Sequence, residues 1–216
     1  MSNNKNITIL VDNDSWIIPY AKKLEKNLNQ LGYNTLLVRT DEEIREGRVC
    51  FLLGCIHLVS NNYLQRNKHN LVIHESDLPN GRGFAPMAWQ ILEGKSEIPI
   101  CLLDAAAEAD AGDIWIKDVI SLNGTELCSE WRNLQGLKTI ELCEKFVKNY
   151  SQLTPLSQEG SSTHYPRRTP KDSQLDINKS IKENFNLLRV VDNERYPAFF
   201  EVNGVKYKLK IVKDDQ

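Results

Sequence analysis

A short, largely apolar run from Ile7 to Val11 has the character of a strand buried on both faces. Ser15 follows as a candidate N-cap. Ile17, Ala21, Leu24, Leu28 and Leu31 then recur at helical spacing as far as Gly32, a stop signal. Thr35 to Val38 and Val49 to Leu53 read as the next two strands. A short helix is expected around Asn61 to Arg66, then a fourth strand from Leu71 to His74. Phe84 to Leu92 has helical character and ends at Gly94, and Ile98 to Leu103 and Ile114 to Ile120 are two further strands. Asn123-Gly124 turns the chain, and Thr125 is expected to cap a long helix reaching Tyr150, with a break near Gly136. Strands alternating with helices predict an α/β domain built on a mostly parallel sheet with helices on both faces.

The pattern changes at 151–168, which is rich in Ser, Pro, Thr and Gln and reads as a connection crossing the surface. Beyond it, Asn178 can cap a helix carrying Ile181, Phe185 and Leu188. The chain closes on Phe199 to Val202, then Asn203-Gly204, then Val205, Tyr207, Leu209 and Ile211 alternating with lysines. Asn-Gly between alternating strands is the strongest short-range hairpin signal. The expected organisation is a catalytic α/β domain over 1–150, a connecting segment over 151–176, and a small α+β tail over 177–216 ending in the hairpin.

Composition narrows the classes of function. Basic and acidic side chains number 27 and 29, a formal net charge of -2. That balance argues against nucleic-acid binding, which rests on a basic surface that neutralises phosphates, but leaves room for a small anionic substrate. No apolar run approaches the roughly 20 residues of a membrane-spanning helix. The start, Met1-Ser-Asn-Asn-Lys ahead of Ile7, lacks the layout of a secretion signal, so a cytoplasmic protein without a membrane partner is expected. Cys50, Cys55, Cys101, Cys128 and Cys143 are odd in number and show no Cys-x-x-Cys spacing. They are expected to be reduced thiols, and with four unclustered histidines no metal site is expected.

Two segments carry candidate chemistry. His74 stands at the carboxyl end of a buried strand, where open α/β sheets place their ligands. The loop after it, Glu75-Ser-Asp-Leu-Pro79-Asn-Gly-Arg82-Gly83, offers polar side chains and two glycines ahead of a helix N-terminus able to receive anionic groups. In the second, Ala109-Asp110-Ala-Gly112-Asp113, the glycine permits a tight turn between two carboxylates. A core histidine is the plain alternative for His74, and local turn bonding for Asp110 and Asp113.

Together these segments resemble the formyltransferase family, which includes methionyl-tRNA formyltransferase, the purine-pathway glycinamide ribonucleotide enzyme and the sugar N-formyltransferases. In that family a His with a Ser-Leu-Leu-Pro type loop, then Arg-Gly and Ala-Pro, precedes an Asp-x-Gly-Asp turn. Here His74, Ser76, Leu78-Pro79, Arg82-Gly83 and Ala85-Pro86 match in order, and Asp110 to Asp113 supply the turn. The resemblance runs from the first strand to Tyr150 and resumes over Tyr165 to Asp176, which is similar to the tail of sugar formyltransferases. It implies a Rossmann-like formyltransferase fold and transfer of a formyl group from 10-formyltetrahydrofolate to an amine. A protonated His74 would stabilise the oxyanion on the formyl oxygen, worth about 3 kcal/mol per good donor. Asp110 would hold His74 charged and relay the amine's proton through a water. The implied folate crevice is lined by Leu53, Gly54, Cys55 and Ile56 on one side and Ala107, Glu108 and Ala109 on the other. Candidate substrate contacts are Asn13, Ser15 and Trp16, where the first βα loop opens on the same crevice, and Glu75, Ser76, Asn80 and Arg82 after His74; an ordinary helix cap is the plain alternative for the first group and a solvated cation for Arg82.

One position departs from the family pattern. An Asn normally stands two residues before the His, where this chain has Val72. Asn70 lies a further two residues back, about 6 to 7 Å along the strand. A substitute donor such as Asn80 or a backbone N–H, a slower enzyme, and lost activity all stay open. The strings His-Glu-Ser-Asp-Leu-Pro, Gly-Arg-Gly and Trp-Gln-Ile-Leu-Glu-Gly look most like formyltransferases of bacterial nonulosonate (pseudaminic-acid-type) pathways. They imply a UDP-linked 4-amino-4,6-dideoxy-N-acetyl-altrosamine acceptor. The segment 157–216 holds 11 Lys and Arg against nine acids, and the tail reads as too short and too nearly neutral to grip tRNA. A methionyl-tRNA formyltransferase-like enzyme and a non-catalytic folate- or sugar-binding relic remain alternatives. Arg167-Arg168 could be a surface charge patch or part of a substrate or dimer surface. The hairpin could be a covered edge or a homodimer contact.

Overall fold

In chain order the elements begin with β1 (Asn6–Leu10), α1 (Ile18–Gln30), β2 (Asn34–Val38), β3 (Gly47–Leu52), α2 (Asn61–Leu64) and β4 (Asn67–His74). They continue with β5 (Arg82–Gly83), α3 (Pro86–Leu92), β6 (Glu97–Asp104), β7 (Ile114–Ser121) and α4 (Cys128–Asn149). The last are β8 (His164–Tyr165), α5 (Ile181–Val190), β9 (Ala198–Val202) and β10 (Val205–Leu209). This computed structural model describes residues 5–214. Residues 1–4, on which part of the reading of the chain's start rests, lie outside the described residues, as do 215–216.

The central sheet has the order β2-β1-β3-β4-β6-β7. β1 to β4 pair in parallel, and β6 is antiparallel to both β4 and β7, so β6 alone is reversed and the sheet is mostly parallel as expected. One face packs against α1, α3 and α4. Ala21, Leu24 and Leu28 of α1 and Leu142, Cys143 and Phe146 of α4 are fully buried there with Ile9, Phe51 and Leu71. Each large aliphatic side chain so buried contributes about 1.5–3 kcal/mol. The other face holds smaller clusters around Leu10, Leu52 and Val72.

Several element ends differ from expectation. Ser15 does not cap α1: the N-cap position is Ile17, with Pro19 in the first turn, and the Ser15 hydroxyl only faces the Ile17 N–H at 3.5 Å. The helix after Phe84 starts at Pro86, because Ala85 is left-handed at φ +49°. α4 begins after Leu127 rather than at Thr125, whose hydroxyl bonds Asn123 instead. It also runs unbroken through Gly136, where the ring of Tyr20 packs against the helix and a Cβ would lie 2.5 Å from it. Ser180, not Asn178, caps α5, in a reciprocal box with Glu183. The terminal hairpin forms as expected, with Asn203 and Gly204 both at positive φ. α5 is fastened beneath α4 by Arg189, which is 3% exposed and pairs with Glu126 at 3.1 Å, and by the Trp131 indole donating to the Arg189 carbonyl.

Candidate functional site

β1, β3 and β4 end in register, with Leu10 beside Leu52 and Leu52 beside Val72, so their following loops meet at one edge of the sheet. His74 closes β4 there, opposite Cys101 of β6, and is buried with 5% of its surface exposed. Its Nε2 lies 2.8 Å from the carbonyl oxygen of Gly81, and its Nδ1 lies 3.3 Å from Oδ1 of Asp110. Both neighbours are acceptors, an arrangement that an imidazolium donating from both nitrogens satisfies. Asp110 Oδ2 accepts from the Gly83 N–H at 2.9 Å, so both oxygens of that carboxylate are engaged.

Asp110 arrives by an indirect route. Because β6 runs antiparallel to β4, its last residue, Asp104, stands beside Leu71 and not beside His74. The following loop must double back to bring a carboxylate to the imidazole. Gly112 permits this return, since a Cβ there would lie 1.8 Å from the Asp104 carbonyl oxygen. Asp110 itself sits in the left-handed region at φ +58°, a conformation costing a non-glycine residue on the order of 1 kcal/mol. Gln158 offsets that cost. Its Nε2 donates to the carbonyl oxygens of Asp110 at 2.7 Å and Gly112 at 2.8 Å. Arg82 donates to Gln158 Oε1 at 2.8 Å and pairs with Glu108 at 3.1 Å. Thr163 accepts from the Gly81 N–H through its hydroxyl, and from the Arg82 N–H through its carbonyl. β8 pairs with β5 alongside. The segment read as a connection therefore also frames the histidine loop. Asp113 is exposed and contributes its carbonyl to the turn.

The other expected residues divide between two places. Leu53 is buried and donates its N–H to the Leu10 carbonyl, while Gly54, at φ +62°, accepts from the Asn13 side chain at 2.8 Å. Cys55 is half-buried, and exposed Ile56 donates its N–H to Asp12 at 3.0 Å. Burial would raise the Asp12 carboxyl, but bonds from Asn13 and the N–H groups of His57 and Ile56 outweigh it and hold it below the ordinary range. Ala107, Glu108 and Ala109 are exposed across the gap. Cys55, Val72 and Ala105 share one apolar cluster, and the buried Asn70 Oδ1 on the same strand has no partner. Apolar walls, exposed loop backbone and an unsatisfied amide oxygen suit a flat heteroaromatic ring with hydrogen-bonding edges, so these residues fit a folate pterin. Ser76 is buried with an unsatisfied hydroxyl, Asn80 is exposed, and Ser15 is half-buried beside Gly54.

Trp16 and Glu75 meet, together with Ile56, in a cavity of about 350 Å³ between α3, α4 and the tail. Phe84, Met87, Trp131, Arg132, Gln135, Arg167, Arg168 and Tyr196 also line it. Burial pushes the Glu75 carboxyl up, and the neighbouring His74 pulls only part of the way back. Most of these residues carry no local sequence signal, because widely separated segments of the chain supply them. Arg82, by contrast, is engaged away from this cavity, with its side chain 11% exposed.

This arrangement of sheet, histidine loop and returning aspartate turn defines a protein of the formyltransferase fold. No family model matches the chain. Methionyl-tRNA formyltransferase from Rickettsia prowazekii (strain Madrid E) is 27% identical over 145 residues, 64% of this chain and 48% of the relative. Among solved structures, methionyl-tRNA formyltransferase from Clostridium thermocellum superposes with a TM-score of 0.79 at 24% identity, covering 97% of this chain and 93% of that one. HypX from Aquifex aeolicus in complex with tetrahydrofolic acid gives 0.78 at 17% identity, over 95% of this chain and 37% of that one. A sugar N-formyltransferase from a Shewanella species gives 0.69 at 12% identity, over 98% of each chain. The chain is similar in sequence to methionyl-tRNA formyltransferases and shares the formyltransferase fold. It spans about half the length of the curated relatives it matches. Among the described residues no helix is long and apolar enough to cross a membrane.

Proposed function

We propose that the protein transfers a formyl group from 10-formyltetrahydrofolate to the amino group of a nucleotide-linked amino sugar in the cytoplasm. The preferred acceptor is the UDP-linked 4-amino-4,6-dideoxy-N-acetyl-altrosamine. The observation that carries this reading is the buried His74–Asp110 pair, 3.3 Å apart at the strand end, next to an arginine- and tryptophan-lined cavity of small-molecule size. Folate bound over Val72 would supply the formyl carbon. His74 would exchange the Gly81 carbonyl for the developing oxyanion, and Asp110 would hold the imidazolium in place. Val72 offers no donor, so from this strand His74 would act alone. In this reading 1–150 is the catalytic part, 151–176 connects it, and 177–216 closes the cavity. Likeness to sugar N-formyltransferases over nearly the whole chain and the near-neutral charge support a sugar acceptor.

The test combines 10-formyltetrahydrofolate with a panel of nucleotide-linked amino sugars and reads the gain of one formyl group by mass spectrometry. His74→Ala is expected to lose about 100-fold or more in turnover, and near-full turnover in that variant would end this mechanism. The matched relatives favour one second reading, a methionyl-tRNA formyltransferase-like enzyme. It would formylate charged initiator tRNA and bind it with steep salt dependence.

A further inference from the structure

An acceptor amine cannot attack while it is an ammonium, so something must take its proton. The His74–Asp110 pair is already engaged in its own contacts. Both Asp110 oxygens already face donors, and both His74 nitrogens face acceptors. The next residue offers another group. Leu71 and Ile73 of β4 pack into the large core cluster on the α4 side of the sheet, and Glu75, next in that alternation, lines the cavity with Gln135 and Trp131 of α4. Its main chain is anchored, since the Gln90 side chain donates to the Glu75 carbonyl at 2.6 Å. Among the described residues no basic side chain stands within ion-pair distance of its carboxylate. The cations around the cavity are engaged otherwise: Arg132 pairs with Asp192 at 2.7 Å, Arg168 donates to the Val190 and Asp172 carbonyls, and Arg167 lies 4.7 Å over the Phe84 ring.

We infer that Glu75 receives the acceptor's ammonium at the floor of this cavity and removes its proton before attack, while Arg167 attracts the acceptor's anionic part at the mouth. This rests on the amino-sugar reading above and extends it. Trp16 and Trp131 also line the cavity, with the Arg132 guanidinium 5.8 Å over the ring of the first and 5.5 Å over that of the second. The charged groups facing Glu75 are His74 and Asp110 from the neighbouring loops, and Arg132, Arg167, Arg168 and Asp192 around the cavity. Burial raises the carboxyl above the ordinary carboxylate range, the direction that makes it a better proton acceptor. In the step, the carboxylate takes one proton from the ammonium and leaves a neutral amine. The amine nitrogen bonds to the formyl carbon as that carbon's bond to the donor nitrogen breaks, and a second amine proton passes to the donor nitrogen. Neutral Glu75 then returns its proton to solvent.

Isothermal titration calorimetry would compare wild type and Glu75→Gln against an amino nucleotide sugar and its hydroxyl counterpart. Wild type should prefer the amine. Glu75→Gln should lose about tenfold of that preference, yet bind the hydroxyl compound as before. Its kcat should fall about 100-fold and its pH profile move up towards the free amine's own titration, with partial rescue in Glu75→Asp. An unchanged preference and pH profile in a folded Glu75→Gln protein would overturn the inference, as would a wild type indifferent to amine or hydroxyl. Amine preference lost in the variant, without turnover in wild type, would support Glu75 while sinking formyl transfer to that sugar.

Discussion

Replacing Gln158 by Ala removes three hydrogen bonds at once, in a segment whose sequence gives no hint of involvement. The two bonds to the Asp110 and Gly112 carbonyls, at 2.7 and 2.8 Å, contribute about 1 kcal/mol each after the exchange with water. The bond from the Arg82 guanidinium is charge-assisted, and water would recover part of it in the variant. The sum is about 3 kcal/mol, which lowers Tm by roughly 6–12 °C in a chain of this size. Activity should suffer separately, because Asp110 would no longer be held at its positive φ, and turnover should drop about tenfold or more. Gln158→Glu divides the two effects. It retains an acceptor for Arg82 but faces two carbonyl oxygens with a third, so it should hold more of the stability than of the activity. Thermal melts and formyl-transfer rates on both variants decide the matter. A Tm change below about 2 °C together with turnover within twofold of wild type in Gln158→Ala would refute this account of the turn.

Arg189→Met strands the buried Glu126 carboxylate without its cation and should cost about 3–5 kcal/mol in urea unfolding, with part recovered in the double variant carrying Glu126→Gln. Acid should act through the same residue. Burial alone would raise the Glu126 carboxyl, but the N–H groups of Asn123 and Gly124 and the Arg189 charge hold it below the ordinary 4.5. Its contribution is therefore complete above pH 4.5 and is lost as pH falls through the lowered value, so Glu126→Gln should flatten stability against pH in that window. Gly136→Ala drives a methyl to within 2.5 Å of the Tyr20 ring and should cost about 1–3 kcal/mol by pushing α1 from α4, seen as a lower melting point with the fold retained.

Local periodicity determined the secondary elements, the terminal hairpin and the fold class, because burying an apolar stripe or face is a requirement each segment meets with its own residues. The matched loop after His74 and the Asp110 turn were legible for a similar reason: Pro, Gly and Asp at fixed offsets describe backbone turns. Helix ends were less legible. Ser15, Thr125 and Asn178 are all good caps, yet the neighbouring chain chose Ile17, Leu127 and Ser180. Tertiary structure alone decided how Asp110 reaches His74, since nothing in Glu97–Asp104 says that this strand runs against its neighbour and must be followed by a returning loop. The same holds for Gln158, and for a cavity drawing Trp16, Glu75, Trp131 and Arg167 together from distant parts of the chain. Short-range pattern records what each segment buries, whereas which segments meet depends on the packing of the whole sheet.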